Sequence, residues 1–182
     1  MTAALPCQVV LSDGQVATIG RVVESDAAAV LDHLEQLAGE SDYLTFGPGE
    51  LGLTLDQQRA YIAALQDGTS GFMIKVEVAG TLVAFAAIKR TPRPRIAHVG
   101  EFGLAIARAC WGRGLGKVLC EIVIGEARRL GLTRIELRVR ADNQRARRLY
   151  DRVGFAVLGR ASRAFRVGGQ CFDEILMDLA LD

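Results

Sequence analysis

Hydrophobic residues recur along the chain at two spacings, one typical of helices and one typical of strands. Helical spacing occurs first in the region of residues 27–66. Apolar residues at intervals of three and four over 27–38 predict an amphipathic helix, with Ser25 as its N-cap. Thr54 and Gln57 have the spacing of a capping box, which predicts a second helix to about residue 66. The pair Asp67-Gly68 is a turn signal that would end this helix.

Alternating and β-branched runs predict strands, most of them separated by short turn signals such as Ala79-Gly80 and Gly168-Gly169. Two more helices are predicted over 115–130 and 143–153, each followed by a glycine. The chain therefore has antiparallel hairpins at both ends and a strand–helix–strand unit in the middle, which predicts one α/β domain over 1–182 with a mixed sheet. The predicted strands cover residues 8–11, 16–21, 72–78, 81–89, 96–106, 133–140, 155–167 and 170–179.

Composition narrows the class of protein without identifying it. The chain has 182 residues and a formal net charge of +1, so no strong field favours nucleic acid or a membrane surface as a partner. No apolar run approaches membrane-spanning length, and the first residues lack the pattern of a signal peptide. The four cysteines are widely spaced, which favours reduced thiols in the cytoplasm, and two histidines are too few for a histidine-cluster metal site. We therefore expect no metal.

A glycine-spaced turn lies between the strand at 96–106 and the helix at 115–130. Glycines at a helix start let backbone approach a ligand, while free amides and the positive end of the helix dipole favour an anion such as a phosphate. The turn thus predicts a cradle for a diphosphate, with two cationic side chains beside the amides. Its residues are Gly112, Arg113, Gly114, Leu115, Gly116 and Lys117.

Two other interpretations of this turn exist. Glycines at a strand-to-helix connection can be purely structural. A dinucleotide-binding unit also has a strand, a glycine turn and a helix, followed by an acidic residue, and Glu136 is suitably placed for that role. However, the spacing Gly112-Gly114-Gly116 lacks the third glycine of GxGxxG, and about a hundred residues precede it. A dinucleotide fold is therefore disfavoured.

Two motifs follow one another in the second half of the chain. The first is Trp111-Gly112-Arg113-Gly114-Leu115-Gly116, and the second is Asn143-Gln-Arg-Ala146-Arg-Arg-Leu149-Tyr150, followed by Gly154-Phe155. In this order they resemble the two signatures of the GNAT superfamily of N-acetyltransferases, the first of which is Arg/Gln-x-x-Gly-x-Gly/Ala and has Trp at its first position here. The resemblance covers roughly residues 81–179. The tryptophan leaves open what the family's polar side chain would have contacted.

The resemblance implies a mixed, mostly antiparallel sheet flanked by about four helices. It also implies acetyl-CoA as acetyl donor and a primary amine as acceptor, either a small molecule, an amino acid or a protein amine. The peptide-like pantetheine arm of the coenzyme would pair with a strand edge at Leu104, Ala105 and Ile106, and the amides at 112–117 would hold its pyrophosphate. By family habit a homodimer is also expected.

The implied catalytic residues each have a structural alternative. Tyr150 would protonate the leaving thiolate by family analogy, but it also lies on an apolar helical stripe and could simply be core. Asn143 could contact the coenzyme or cap its helix. Glu101 is the candidate base that deprotonates the amine, directly or through water, or it could pair with an arginine. His98 has the opposite strand parity and is expected to be structural.

An arginine-rich stretch extends over 138–152, and its six arginines admit three interpretations. Most are expected on a solvated helix face, and one or two could meet the 3′-phosphate of the coenzyme. RNA binding is disfavoured because no aromatic residues are interleaved and the chain has no overall basic excess. No cysteine has the setting of a nucleophile, so direct transfer in a ternary complex is expected. The alternative is a non-catalytic acyl-CoA-binding regulator with the same fold.

Overall fold

The computed structural model describes residues 5–66 and 70–181. Over those residues the chain forms eight β-strands and four α-helices. The strands are β1 Cys7–Val10, β2 Val16–Arg21, β3 Gly71–Val78, β4 Thr81–Arg90, β5 Val99–Ile106, β6 Arg134–Arg140, β7 Ala156–Val167 and β8 Gln170–Ala180. The helices are α1 Ala27–Glu40, α2 Leu55–Gln66, α3 Leu115–Arg129 and α4 Gln144–Arg152.

The strands form one open sheet in the order β1-β2-β3-β4-β5-β6-β8-β7. Neighbouring strands are antiparallel except β5 and β6, which are parallel and joined by α3. This confirms the predicted mixed, mostly antiparallel sheet with hairpins at both ends and a strand–helix–strand unit between them. It also differs from a dinucleotide-binding sheet, which is mostly parallel.

Side chains alternate between the two faces of the sheet, and each face has its own hydrophobic core. On one face α1 and α2 cover the central strands through a cluster that includes Val30, Ile62 and Phe85. On the other face α3 packs on Ile88 and Ile135 in a larger cluster that also contains Tyr150 of α4. The molecule is therefore a sheet between two helical layers, which confirms the predicted class.

Several turn signals act as the sequence predicts. The Thr54 amide donates to Oε1 of Gln57 at 2.8 Å, and the Gln57 amide donates to Oγ1 of Thr54 at 3.2 Å, so the capping box is formed. Ala79 and Gly80 both have positive φ, 49° and 78°, as a tight hairpin requires. No helix within the described residues is long and apolar enough to cross a membrane.

Most element ends lie within one residue of the prediction, and three differences have a local cause. Strand β5 begins at Val99, because the amides of Ile96 and Val99 donate to carbonyls three residues earlier and form turns instead. Ser25 does not cap α1, since it lies in a short 3-10 turn over Glu24–Asp26 that leads into the helix. Helix α1 continues to Glu40 without stopping at Gly39. The predicted stop at Asp67-Gly68 lies outside the described residues.

Candidate active site

Strands β5 and β6 separate soon after they begin to pair. Their parallel register extends from Val99 opposite Arg134 to Glu101 opposite Glu136. Beyond Glu101, β5 stays paired with β4 as far as Ile106, while β6 stays paired with β8. The two strands therefore diverge, and a cleft of about 570 Å³ opens between them. This separation is where the sequence predicted an exposed edge at residues 104–106.

The cleft brings together six of the twelve predicted site residues, while the other six form the glycine turn at 112–117 outside its lining. Its wall contains Glu101 and Leu104–Ile106 from β5, Asn143 before α4, and Tyr150 within α4. Because β5 and β6 are apart here, side chains from both faces of the sheet reach one space. The glycine turn lies directly after Trp111, which also lines the cleft.

The glycine turn has the backbone conformation that its composition predicts. Gly112 and Gly114 have φ of 78° and 85°, a region that L side chains rarely adopt, and a Cβ on either would meet no atom within 4 Å. Helix α3 starts at Leu115, so the first-turn amides have no partner within the helix. A Cβ on Gly116 would come within 2.9 Å of Leu149, so this glycine lets α3 and α4 pack closely. The turn therefore offers open backbone at a helix start.

The two cations predicted beside the turn differ in their surroundings. Arg113 forms an ion pair with Asp13 at 2.6 Å and donates to Gln15 at 2.8 Å, so its guanidinium is directed towards the β1–β2 turn. Lys117 is largely exposed and lies 3.7 Å from Glu121, one helical turn later. Arg113 therefore anchors the glycine turn to the first hairpin, while Lys117 remains accessible at the start of α3.

Trp111 occupies the position where the family signature has a polar side chain. Its indole N–H donates to the carbonyl of Ile106 at 2.7 Å, which ties the turn to the end of β5. The guanidinium carbons of Arg108 and Arg145 lie 5.5 and 4.0 Å from the ring centroid. Sequence reasoning left the contacts of this residue open. The structure shows that it closes the end of the exposed strand edge.

Tyr150 is both a core residue and part of the cleft wall. Its ring is 7% exposed and packs against Phe102 and Phe155, with centroid distances of 6.1 and 5.8 Å. The core interpretation of the helical stripe is thus confirmed, although the same residue borders the cleft. Burial raises the pKa of Tyr150, and the nearby Cys120 raises it further. The phenol is therefore a neutral hydrogen-bond donor at neutral pH.

Glu101 faces the α1/α2 side of the sheet. It lies opposite Lys89 in the β4–β5 register, and Gly103 and Ala105 follow on the same face, which leaves space beside the carboxylate. Among the described residues Glu101 has no ion-pair partner, so the arginine pairing weighed from the sequence is not observed. Its charge acts on Tyr61 of α2, whose pKa is raised by burial first and by Glu101 second.

The remaining predicted residues lie at the start of α4 and before β5. The Asn143 side chain accepts from the Ala146 amide at 3.1 Å, so its role as an N-cap is confirmed while the side chain also lines the cleft. His98 is exposed in the turn before β5, and its carbonyl accepts from Thr133, which fits a structural role.

Four of the six arginines of 138–152 form two groups, while Arg138 pairs with Glu174 at 3.3 Å and Arg147 donates to the Ala141 carbonyl at 3.0 Å. Arg145, Arg148 and Arg152 are exposed on α4, as a solvated helix face predicts, and the first two border the cleft. Arg140 departs from that prediction because it is 6% exposed at the end of β6. It pairs with Asp142, two positions later in the chain.

Known proteins similar to this chain belong to the family that the two sequence motifs resemble. The family model described as "Acetyltransferase (GNAT) family" matches residues 29–155. A mycothiol acetyltransferase of Salinispora tropica is 38% identical over 89 residues, which cover 48% of this chain and 29% of that protein. The chain thus spans less than a third of the length of this relative.

Other relatives match over most of their length. The N-alpha-acetyltransferase RimI of Mycobacterium tuberculosis is 28% identical over 158 residues, which cover 87% of this chain and 90% of that protein. The crystal structure of a GNAT family acetyltransferase from Streptococcus pneumoniae superposes with a TM-score of 0.87 at 25% identity, covering 90% of this chain and 99% of that one.

The burial of Tyr150 predicts how its phenol titrates. Absorbance at the phenolate wavelength, compared between the native protein and Tyr150→Phe, should show no difference up to about pH 11, although an ordinary tyrosine has a pKa of about 10. Since folding raises this pKa, the stability from the neutral phenol is fully present below about pH 10 and decreases above it. In denaturant the absorbance of the two proteins should differ by that of one tyrosine, which titrates with an ordinary pKa. A native difference that titrates near pH 10 would contradict the burial of this phenol.

Proposed function

The chain belongs to the GNAT family of acetyltransferases, and from this membership we propose that it transfers an acetyl group from acetyl-CoA to a primary amine within a ternary complex. The observation that carries the proposal is the cleft at the β5–β6 separation, because it places a strand edge, a carboxylate and a buried phenol in one space. Each of these groups has a task in acyl transfer from a thioester.

The coenzyme would bind along the separated edge of β5 and at the start of α3. Along a strand, the backbone N–H and C=O groups of every second residue point to the same side. The Ile106 carbonyl accepts from the Trp111 indole, so it points away from β4. The backbone groups of Leu104, two residues earlier, point to that same open side. Leu104 therefore offers the peptide-like pantetheine arm a hydrogen-bonding edge. The open amides of 112–117 suit the pyrophosphate, since a helix N-terminus favours anions.

Glu101 is proposed as the base, directly or through one water. An aliphatic amine is mostly protonated at neutral pH and must lose a proton before it can attack. A carboxylate without an ion-pair partner among the described residues, beside the space left by Gly103 and Ala105, fits that need. The amine nitrogen then attacks the thioester carbonyl, the C–N bond forms, and the proton goes to Glu101 or its water.

Tyr150 is proposed to assist the leaving group from the opposite face of β5. As the C–S bond breaks, the coenzyme leaves as a thiolate, which a neutral phenol can stabilise with a hydrogen bond and then protonate. The phenolate then regains a proton through solvent, which balances the proton that the attacking nitrogen releases to Glu101 or its water. The raised pKa keeps the phenol in its protonated form before the reaction. Two groups on opposite faces of one strand would thus act on opposite sides of the same carbonyl.

The cysteines favour direct transfer over an acetyl-cysteine intermediate. None of them is among the described residues that line the cleft. Burial raises the pKa of Cys120 to about 12, so this thiol does not ionise at neutral pH. All four cysteines are free, which also favours the reducing cytoplasm as the site of action.

The acceptor is proposed at the level of its class only, as a small amine, an amino acid or a protein amine. A non-catalytic acyl-CoA-binding regulator is the second candidate, and it would bind coenzyme without releasing thiol. The carboxylate of Glu101 and the phenol of Tyr150 in one cleft favour the enzyme, since a binding protein needs neither.

Substitution of the two proposed catalytic groups tests the mechanism. The assay uses the amine that reacts fastest in a thiol-release screen. Tyr150→Phe and Glu101→Gln should each lower kcat/KM about a hundredfold, because general acid–base catalysis usually contributes a rate factor of at least that size. Glu136→Gln, in register with Glu101 but outside the cleft, is the matched control. Wild-type turnover across pH in both catalytic variants would refute the assigned roles.

Arg145 is the arginine that we propose meets the 3′-phosphate of the coenzyme. Its guanidinium is stacked on Trp111, lines the cleft and has no acidic partner among the described residues. Wild-type protein should therefore bind CoA about fivefold more tightly than dephospho-CoA, the effect of one exposed charge pair.

In Arg145→Ala this preference should disappear, while Arg152→Ala, an exposed arginine of the same helix outside the cleft, should retain it. Calorimetric titration of both ligands measures the ratio. If Arg145→Ala weakens both ligands equally, the contact is to another part of the coenzyme. If Arg148→Ala alone removes the preference, the neighbouring arginine has the role instead.

A further inference from the structure

Arg140 is a buried charged side chain in the wall of the cleft. It ends β6 and is 6% exposed, yet its charge is fully compensated. Its Nε and Nη2 donate to the two carboxylate oxygens of Asp142 at 2.7 and 3.0 Å, a bidentate pair. Its Nη1 donates at 2.8 Å to the carbonyl of Asp42, in the loop after α1. The guanidinium therefore links the end of β6 to a loop almost one hundred residues earlier.

Two aromatic rings complete the environment of this guanidinium. Its central carbon lies 4.4 Å from the ring centroid of Tyr43 and 4.1 Å from that of Phe172. Tyr43 belongs to the same loop as Asp42, and Phe172 belongs to β8. A planar guanidinium can stack on rings and donate in its own plane at the same time, which an ammonium cannot do. One side chain thus joins the loop, β6 and β8.

The loop held in this way forms a wall of the cleft. Ser41, Tyr43, Leu44 and Thr45 all line the cavity together with Glu101. At its start the loop is fixed by Glu40, whose carboxylate accepts from the Arg108 amide at 2.7 Å. Within residues 42–45, the described polar contact to the body of the protein is the one from Arg140. The position of this wall therefore depends on Arg140.

We propose that Arg140 is a positioning residue that holds loop 41–45 as the wall of the acceptor site and so sets the affinity for the amine. This inference rests on the proposed function. Arg140 itself is not a coenzyme or substrate ligand, because Asp142, the Asp42 carbonyl and two rings already occupy its surroundings. Its effect is transmitted by the loop, which distinguishes it from the exposed Arg145.

The test replaces the guanidinium by an ammonium. In Arg140→Lys the KM for the best acceptor amine should rise about tenfold, from loss of the bidentate and stacking contacts, while kcat and the Kd for acetyl-CoA change less than about twofold. Amide hydrogen exchange over residues 41–45 should become faster in the same variant. Arg134→Lys is the matched control, since Arg134 lies on the same strand, pairs with Asp178 at 2.8 Å and does not line the cleft.

A second pair of variants keeps the test informative if Arg140→Lys does not fold. Tyr43→Leu removes the ring from the loop and should reproduce the faster exchange and higher KM, whereas Tyr43→Phe retains the ring and should resemble wild type. Unchanged exchange at 41–45 in Arg140→Lys or Tyr43→Leu would overturn the proposal, as would an unchanged acceptor KM. If the wild-type protein transfers no acetyl group to any amine, the proposed function fails. The exchange measurement still decides whether Arg140 holds the loop.

Discussion

The separation of β5 from β6 is the feature on which the rest of the site depends. A sheet is stable when its backbone groups are paired, yet these two neighbours pair only from Val99 to Glu101. Each strand keeps a partner on its other side, β4 for β5 and β8 for β6, so the sheet remains continuous at its base while it opens above. The opening exposes a polar strand edge inside an otherwise apolar framework, which is an unfavourable arrangement unless a ligand or water pairs with it.

Packing around the opening keeps it from closing. The Trp111 indole N–H donates to the Ile106 carbonyl at the end of β5. Gly116 allows α3 to pack closely against Leu149 of α4. Arg113 ties the glycine turn to the first hairpin, and Arg140 ties the loop after α1 to β6. The contacts of Arg113 and Arg140 join segments that are almost one hundred residues apart in sequence. The cleft is therefore shaped by long-range side-chain contacts at its rim, while the hydrophobic cores on the two faces hold the sheet itself.

Local signals were sufficient for most of the fold. Turn dipeptides, helix caps and the change from helical to alternating periodicity act within a few residues, so they predicted every hairpin and helix to within a few positions. They failed where a local preference was overridden, as at residues 96–98, which form turns although their composition favours a strand. The contacts of Trp111 and the burial of Arg140 were not predictable, because their partners are set by tertiary packing. The two motifs predicted the glycine turn, Asn143 and Tyr150, and the strand pattern predicted Glu101; Glu101, Asn143 and Tyr150 line one cleft, and the glycine turn follows Trp111 outside its lining.

A carboxylate and a phenol from opposite faces of the sheet border a single space because β5 and β6 separate there. We propose that this space, with the amides at 112–117, binds an acylated coenzyme A. Titration calorimetry of the purified protein with acetyl-CoA and, separately, with NAD tests that proposal most directly. We expect a saturable signal with acetyl-CoA and none with NAD. A clear signal with NAD and none with acetyl-CoA would contradict it.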